Sequence, residues 1–340
     1  MPEETSRVTF SDGARATALA KLGPSLNTLQ KAVPGRCDYV YAPTSVFETE
    51  PSARGWRLLG RGLAWKIRAG LESGDTGNAV EALLTATKFG LDVSQGDAPT
   101  ASLGFTVCNE SRRALAPHLA EFSGRDLVRL ETGLRKILSG YPGPASTIVH
   151  ERQRMMLGVQ YVQDCRQAGK YDELTARLGK DCKPAVSYLK DLAESKRPAY
   201  FEGFAAEARD YADHWAGQSD RPASDRATWE PGGSDRPWRR FARALFETVE
   251  PALAMHDTCL ARIRLLALSA WAEAQVKASG KAPKSLSKLP ETLVTDPFSG
   301  RPFIYRATGR DFQVYSVGSD GMDDGGQDAS ADLVLETGDF

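Results

Sequence analysis

Thr295 to Asp332 reads TDPFSGRPFIYRATGRDFQVYSVGSDGMDDGGQDASAD, and this stretch decides the fold class. TDPFSG is a turn signal, with Pro297 and Gly300 at positions a tight turn favours. RPFIYRA (301–307) and DFQVYSV (311–317) alternate in the manner of strands, and a short loop containing Gly309 joins them. DLVLE (332–336) reads as a last strand. The regular segments upstream carry helical rather than strand periodicity, between an irregular connection over 33–55 and a linker over 216–237. The expected class is therefore α+β, mostly α: an irregular helical domain followed by a helix and a small antiparallel β-sheet.

Between the second and third strands the chain crowds Asp320, Asp323, Asp324, Asp328 and Asp332 into thirteen residues with no lysine or arginine. Carboxylates this close raise one another's pKa unless a positive charge sits among them. Aspartate is the first choice of ligand for a hard cation that takes six to eight oxygens, and neighbouring glycines let backbone carbonyls turn inward. Calcium suits such a loop better than magnesium, which demands tight octahedral geometry. An EF-hand is rejected. With Asp320 at position one, Met322 falls at three and Ala331 at twelve, where oxygen ligands are required. The competing reading is a solvated acidic hairpin tip.

Working back from the loop, the last long helix is expected from Ala252 to Ser279, burying Leu260, Ile263, Ala267, Ala270, Trp271 and Ala274 at i, i+3, i+4 spacing. RPWRRFAR (236–243) places Trp238, Phe241 and Leu245 on one helical face, which makes its arginines a solvated face rather than a nucleic-acid patch. Residues 216–237 repeat Ser-Asp-Arg three times among prolines and glycines and read as a linker or mobile loop, with Trp229 available to anchor it. Residues 11–215 form the helical domain. Helices are expected at 99–120, 124–139, 144–168, 171–179 and 184–215, with an interruption at Pro24 in the first helix. A hairpin turns at Gly74, and Asp75 or Thr76 caps its second helix. Residues 1–10 read as a disordered N-terminus, and 238–340 as the helix plus β-module.

The chain has 340 residues, 41% of them hydrophobic, enough for two domains or one large one. A net charge of −1 gives no general attraction to nucleic acid or anionic membranes. No stretch approaches the roughly 18 apolar residues of a membrane span. The first ten residues lack a basic-then-apolar leader, which fits a cytoplasmic chain or one whose leader or anchor has been removed. Five cysteines are widely spaced without a CxxC; Cys165 and Cys182 flank a helical turn and could pair in an oxidising compartment, the alternative being buried free thiols.

Catalytic motifs are sparse. HERQRMM (150–156) has Arg154 where a zinc-binding HExxH needs its second histidine, so His150 and Glu151 read as surface residues. Asp213–His214 and His256–Asp257 are sequence neighbours, which on a helix do not face each other and are not expected to form dyads. No nucleophile elbow or phosphate loop is present.

The C-terminal motifs together resemble the major pseudopilin of type II secretion systems. That family follows a helix with Asp-Pro-x-x-Gly-x-Pro-x-x-Tyr, matched by Asp296, Pro297, Gly300, Pro302 and Tyr305. A Tyr-x-Ser-x-Gly-x-Asp-Gly segment follows, matched by Tyr315, Ser316, Gly318, Asp320 and Gly321. The resemblance covers about residues 255–340. It implies a calcium site built from the Val317 carbonyl, Asp320, Asp332 and one or more of Asp323, Asp324 and Asp328. The apolar helix that polymerises pseudopilin filaments has no counterpart in this sequence, so a filament subunit is not expected. The expectation is a non-enzymatic, extracytoplasmic interaction or structural protein, periplasmic or in the cell envelope and secretion-associated. Its helical domain would engage a protein or peptide partner. The alternative is a hydrolase whose site in the helical domain no motif reveals.

Overall fold

The computed structural model describes residues 11–35, 37, 43–230, 236–326 and 332–335. Residues 1–10 and Asp328, on which two of the expectations above fall, lie outside the described residues.

The described chain begins with five helices: α1 (Asp12–Ala32), α2 (Ala53–Glu72), α3 (Thr76–Val93), α4 (Ala98–Leu115) and α5 (Gly124–Ser139). Their starts follow local chemistry. The Asp75, Asp97 and Ser123 side chains accept from the backbone N–H groups of Asn78, Thr100 and Asp126, capping α3, α4 and α5. Gly74, at φ 74°, makes the turn between α2 and α3. Contrary to expectation, α1 runs straight through Pro24. Gly23 precedes it, and a residue without Cβ removes part of the clash that normally ends a helix before proline. The expected 99–120 helix stops at Leu115 and continues as a 3₁₀ turn, Ala116–Glu121, because Pro117 cannot donate to the α ladder.

The second helical group comprises α6 (Ala145–Gln167), α7 (Tyr171–Leu178), α8 (Lys183–Asp191), α9 (Arg197–Ala216) and α10 (Arg239–Phe246). The single helix expected over 184–215 is two. Leu192 and Ala193 are extended, and Pro198 sits in the first turn of α9, where its missing N–H costs nothing. Phe241 and Leu245 of α10 are buried, as their spacing requires. The α10 arginines are not merely solvated: Arg239 pairs with the buried carboxylate of Glu207 at 3.0 Å, and Arg240 donates to the Asp181 carbonyl at 3.1 Å.

The long helix α11 (Val249–Ser279) threads both groups. Val249 and Leu253 belong to a core with α6 to α10, while Ile263, Leu265 to Leu268 and Ala270 belong to a core with α3, α4 and α5. A helix packed from several sides is apolar nearly all round, which is why Leu265, Leu266 and Leu268 are buried beside the expected stripe. Residues 216–230 lie between the groups. Ala223 and Ser224 donate to the carbonyls of Pro297 and Phe298, and Trp229 packs edge-on against Tyr211 and His214.

After α11 come the single-turn α12 (Glu291–Val294) and the strands β1 (Ile304–Thr308), β2 (Asp311–Ser316) and β3 (Leu333–Val334). They form one antiparallel sheet in the order β1-β2-β3, with Ile304 opposite Tyr315 and Ser316 opposite Leu333. Val314, Tyr315 and Ser316 are buried, and β2 packs on α11. The fold is thus α+β and mostly α. Among the described residues no helix is long and apolar enough to cross a membrane.

Candidate metal centre

Two turns frame the acidic loop. In the first, the Asp296 amide donates to the Arg301 carbonyl at 2.7 Å and the Gly300 amide to the Asp296 carbonyl at 2.9 Å. Gly300 holds φ 67°, which only glycine takes without strain. The Asp296 side chain is buried. Its Oδ1 accepts from Phe298 N–H at 3.0 Å, and its Oδ2 from the Ser316 hydroxyl at 2.8 Å and Val317 N–H at 3.2 Å. Burial raises its pKa, while the hydrogen bonds and Arg264 oppose the rise. The two sequence motifs are therefore one hydrogen-bonded unit. Tyr305 extends it by donating to the Pro283 carbonyl at 2.8 Å.

The loop itself starts at Gly318 and carries Gly318, Gly321, Gly325 and Gly326 at positive φ. Its acids occupy different environments. Asp320 is exposed, and its Oδ1 accepts from Met322 N–H at 3.1 Å. Asp323 Oδ1 accepts from the Tyr315 hydroxyl at 2.7 Å and Gly325 N–H at 3.0 Å, and Oδ2 meets Arg306 at 3.2 Å. These partners, Tyr315 first, hold its pKa below the usual carboxylate value. Burial, reinforced by Asp323, pushes the Tyr315 phenol up to about 12. Arg306 also lies over the Tyr315 ring, 5.4 Å from its centre. Asp324 is exposed.

Asp332 differs from all of these. It is fully buried, its Oδ2 accepts from Gly326 N–H at 2.7 Å, and its Oδ1 has no hydrogen-bond partner among the described residues. A buried carboxylate oxygen left unsatisfied is costly. Among the described residues no three His, Cys, Asp or Glu side chains gather as a ready coordination shell. The residues fit a hard cation at one point in particular, the orphaned Asp332 oxygen beside a glycine-rich acidic loop. Asp323 is the least suited acid, since Arg306 and Tyr315 already satisfy its charge.

The histidines correct the sequence reading. Glu151 is not a surface residue: it is buried, accepts from Ala98 N–H at 2.7 Å and from the Thr248 hydroxyl at 2.6 Å, and ties α4 and α6 to the start of α11. His150 Nδ1 lies 2.8 Å from the Ser146 carbonyl in its own helix. His256 and Asp257, expected to diverge, are both buried and meet at 3.1 Å between Nδ1 and Oδ1. Arg226 reaches Asp257 from the 216–230 segment, Nη2 to Oδ1 at 3.0 Å, and His256 stacks on Tyr141. A hydrogen bond through side-chain rotamers overrides helical spacing here, and the distant Arg226, Tyr141 and Phe105 hold it. Cys165 and Cys182 stand as buried free thiols.

Comparison with protein-family models, curated proteins and solved structures finds no match to this chain.

Proposed function

We propose that this chain is a non-enzymatic, extracytoplasmic structural or interaction protein whose C-terminal module, like that of the pseudopilins it resembles, is stabilised by calcium. The observation that carries the reading is the buried, unpartnered Asp332 Oδ1 in the acidic loop. Asp332 and Asp320, with the Val317 carbonyl and oxygens from Asp323, Asp324 or Asp328, are the proposed ligands. Calcium supplies charge neutralisation there, and the β-module gains stability by linkage. A hundredfold excess over the dissociation constant adds about 2.7 kcal/mol. Loops tuned to millimolar calcium suit the periplasm or cell envelope rather than a cytosol. The helical part would supply the surface for a protein or peptide partner.

Thermal unfolding with calcium and with excess chelator tests the reading. Chelation is expected to lower the melting temperature, and superimposable curves would sink the proposal. The hydrolase alternative would look to His256 and Asp257. Yet His256 Nε2 has no hydrogen-bond partner, hence no hydroxyl or thiol to activate among the described residues.

A further inference from the structure

α11 carries a guanidinium that the fold leaves without a direct ion pair among the described residues. Arg264 is partly buried, its Nη1 donates to the Thr295 carbonyl at 2.7 Å, and its Nε is buried with no acceptor. It makes no salt bridge among the described residues. The two acids whose charge reaches it are Asp296 and Asp257. Both are engaged elsewhere: Asp296 accepts from Ser316, Phe298 and Val317, and Asp257 is held by Arg226 and His256. Desolvation accordingly lowers the Arg264 pKa. A cation kept partly from water without an anion is destabilising, and a ligand anion relieves that cost on binding.

Arg264 forms one wall of a cleft of about 690 Å³ between α5 and the α12 turn. That volume falls within the range of small-molecule sites. Arg135 and Lys136 of α5 line it with the Thr132, Ser139 and Thr292 side chains, and no acid does. Glu131 neutralises Arg135 at 2.9 Å. Lys136 and Arg264 make no salt bridge among the described residues. A second cleft on the other side of Arg264, lined by His256 and Asp257, mixes both signs of charge and presents no such excess.

We propose that the α5–α12 cleft binds a small oxyanion, a carboxylate or a phosphate group, with Arg264 and Lys136 as its cationic contacts and the Thr292 hydroxyl as a further donor, since the Thr132 and Ser139 hydroxyls donate to Glu131 and the Lys136 carbonyl. Arg264 Nη1 is held by the Thr295 carbonyl and its Nε is buried, so Nη2 is the donor left for an anion in the cleft, with the guanidinium charge beside it. The site is separate from the acidic loop and does not rest on the calcium reading.

Isothermal titration of the full chain tests this, with sodium sulfate standing for a tetrahedral phosphate group and sodium acetate for a carboxylate, ionic strength being held with sodium chloride. Saturable binding of at least one anion is expected, and the better probe identifies the ligand chemistry. Arg264→Gln is expected to weaken binding about tenfold or more. Lys136→Ala, at an exposed position, is expected to weaken it severalfold while leaving the ligand-free melting temperature unchanged. Binding of neither anion, or unchanged affinity in either variant, overturns the assignment. If Arg264→Gln fails to fold, Lys136→Ala alone decides.

Discussion

The Ser316 hydroxyl donates to Asp296 Oδ2 at 2.8 Å, twenty residues away in the chain. Through this bond the turn that follows α12 is fixed to the end of β2, and so to the start of the acidic loop. Asp296 is expected to be the structural keystone of the module. Asp296→Ala leaves three donors without their acceptor and should cost about 3 kcal/mol, against about 1 kcal/mol for Ser316→Ala. Chemical denaturation of the two single variants and the double variant should give a coupling of about 0.5 kcal/mol or more. Strict additivity would show that the bond does not couple the two motifs.

Asp332→Asn separates the folding role of this residue from its proposed metal role. The variant keeps an oxygen for Gly326 N–H but removes the buried, unpartnered charge. Without calcium its melting temperature should equal or exceed that of the wild type. On adding calcium the rise expected of the wild type should vanish. A variant that still responds fully would remove Asp332 from the ligand set.

The Asp323 carboxylate is expected to titrate below its usual value of about 3.9, because Tyr315, Gly325 and Arg306 all favour its charged form. A carboxylate depressed in the folded state contributes stability that is present above the unfolded-state pKa and is lost as pH falls through the lower folded value. The contribution therefore disappears only in acid, below about pH 4. Side-chain carboxyl chemical shifts against pH give the midpoint directly. Tyr315→Phe should move it upward, and an unmoved midpoint would assign the depression to other groups.

The crossing of α3 and α4 tolerates no side chain at Gly104. A Cβ there would lie 2.2 Å from the Gly90 carbonyl oxygen and 2.6 Å from the Ser94 amide nitrogen, both rigid backbone. Gly104→Ala should destabilise by about 3 kcal/mol. Gly55, in α2 with nothing near its Cβ position, gives the opposite sign: Gly55→Ala should stabilise by about 0.5–1 kcal/mol. Urea unfolding of both variants checks the contrast, and similar effects at the two positions would contradict the packing.

Helix starts, hairpin turns and the class of the C-terminal module are legible in the sequence because short-range chemistry sets them. Asp97 and Ser123 cap helices by reaching three residues ahead, and Gly309 closes a hairpin between adjacent strands. The order of the acids was legible too, but not their inequality. Asp332 is buried with an empty oxygen while Asp320 is exposed and Asp323 is already neutralised, and each outcome depends on where β2, β3 and Arg306 come to lie. The same holds for Glu151, His256 and Arg264. Each lies on a helix whose periodicity is plain, yet its role depends on groups many residues away. The sequence by itself determined the fold class, most of the elements and the clustering of the acids. Tertiary structure decided which polar groups are satisfied, because burial and hydrogen-bond partnership are properties of packed elements and not of any one of them.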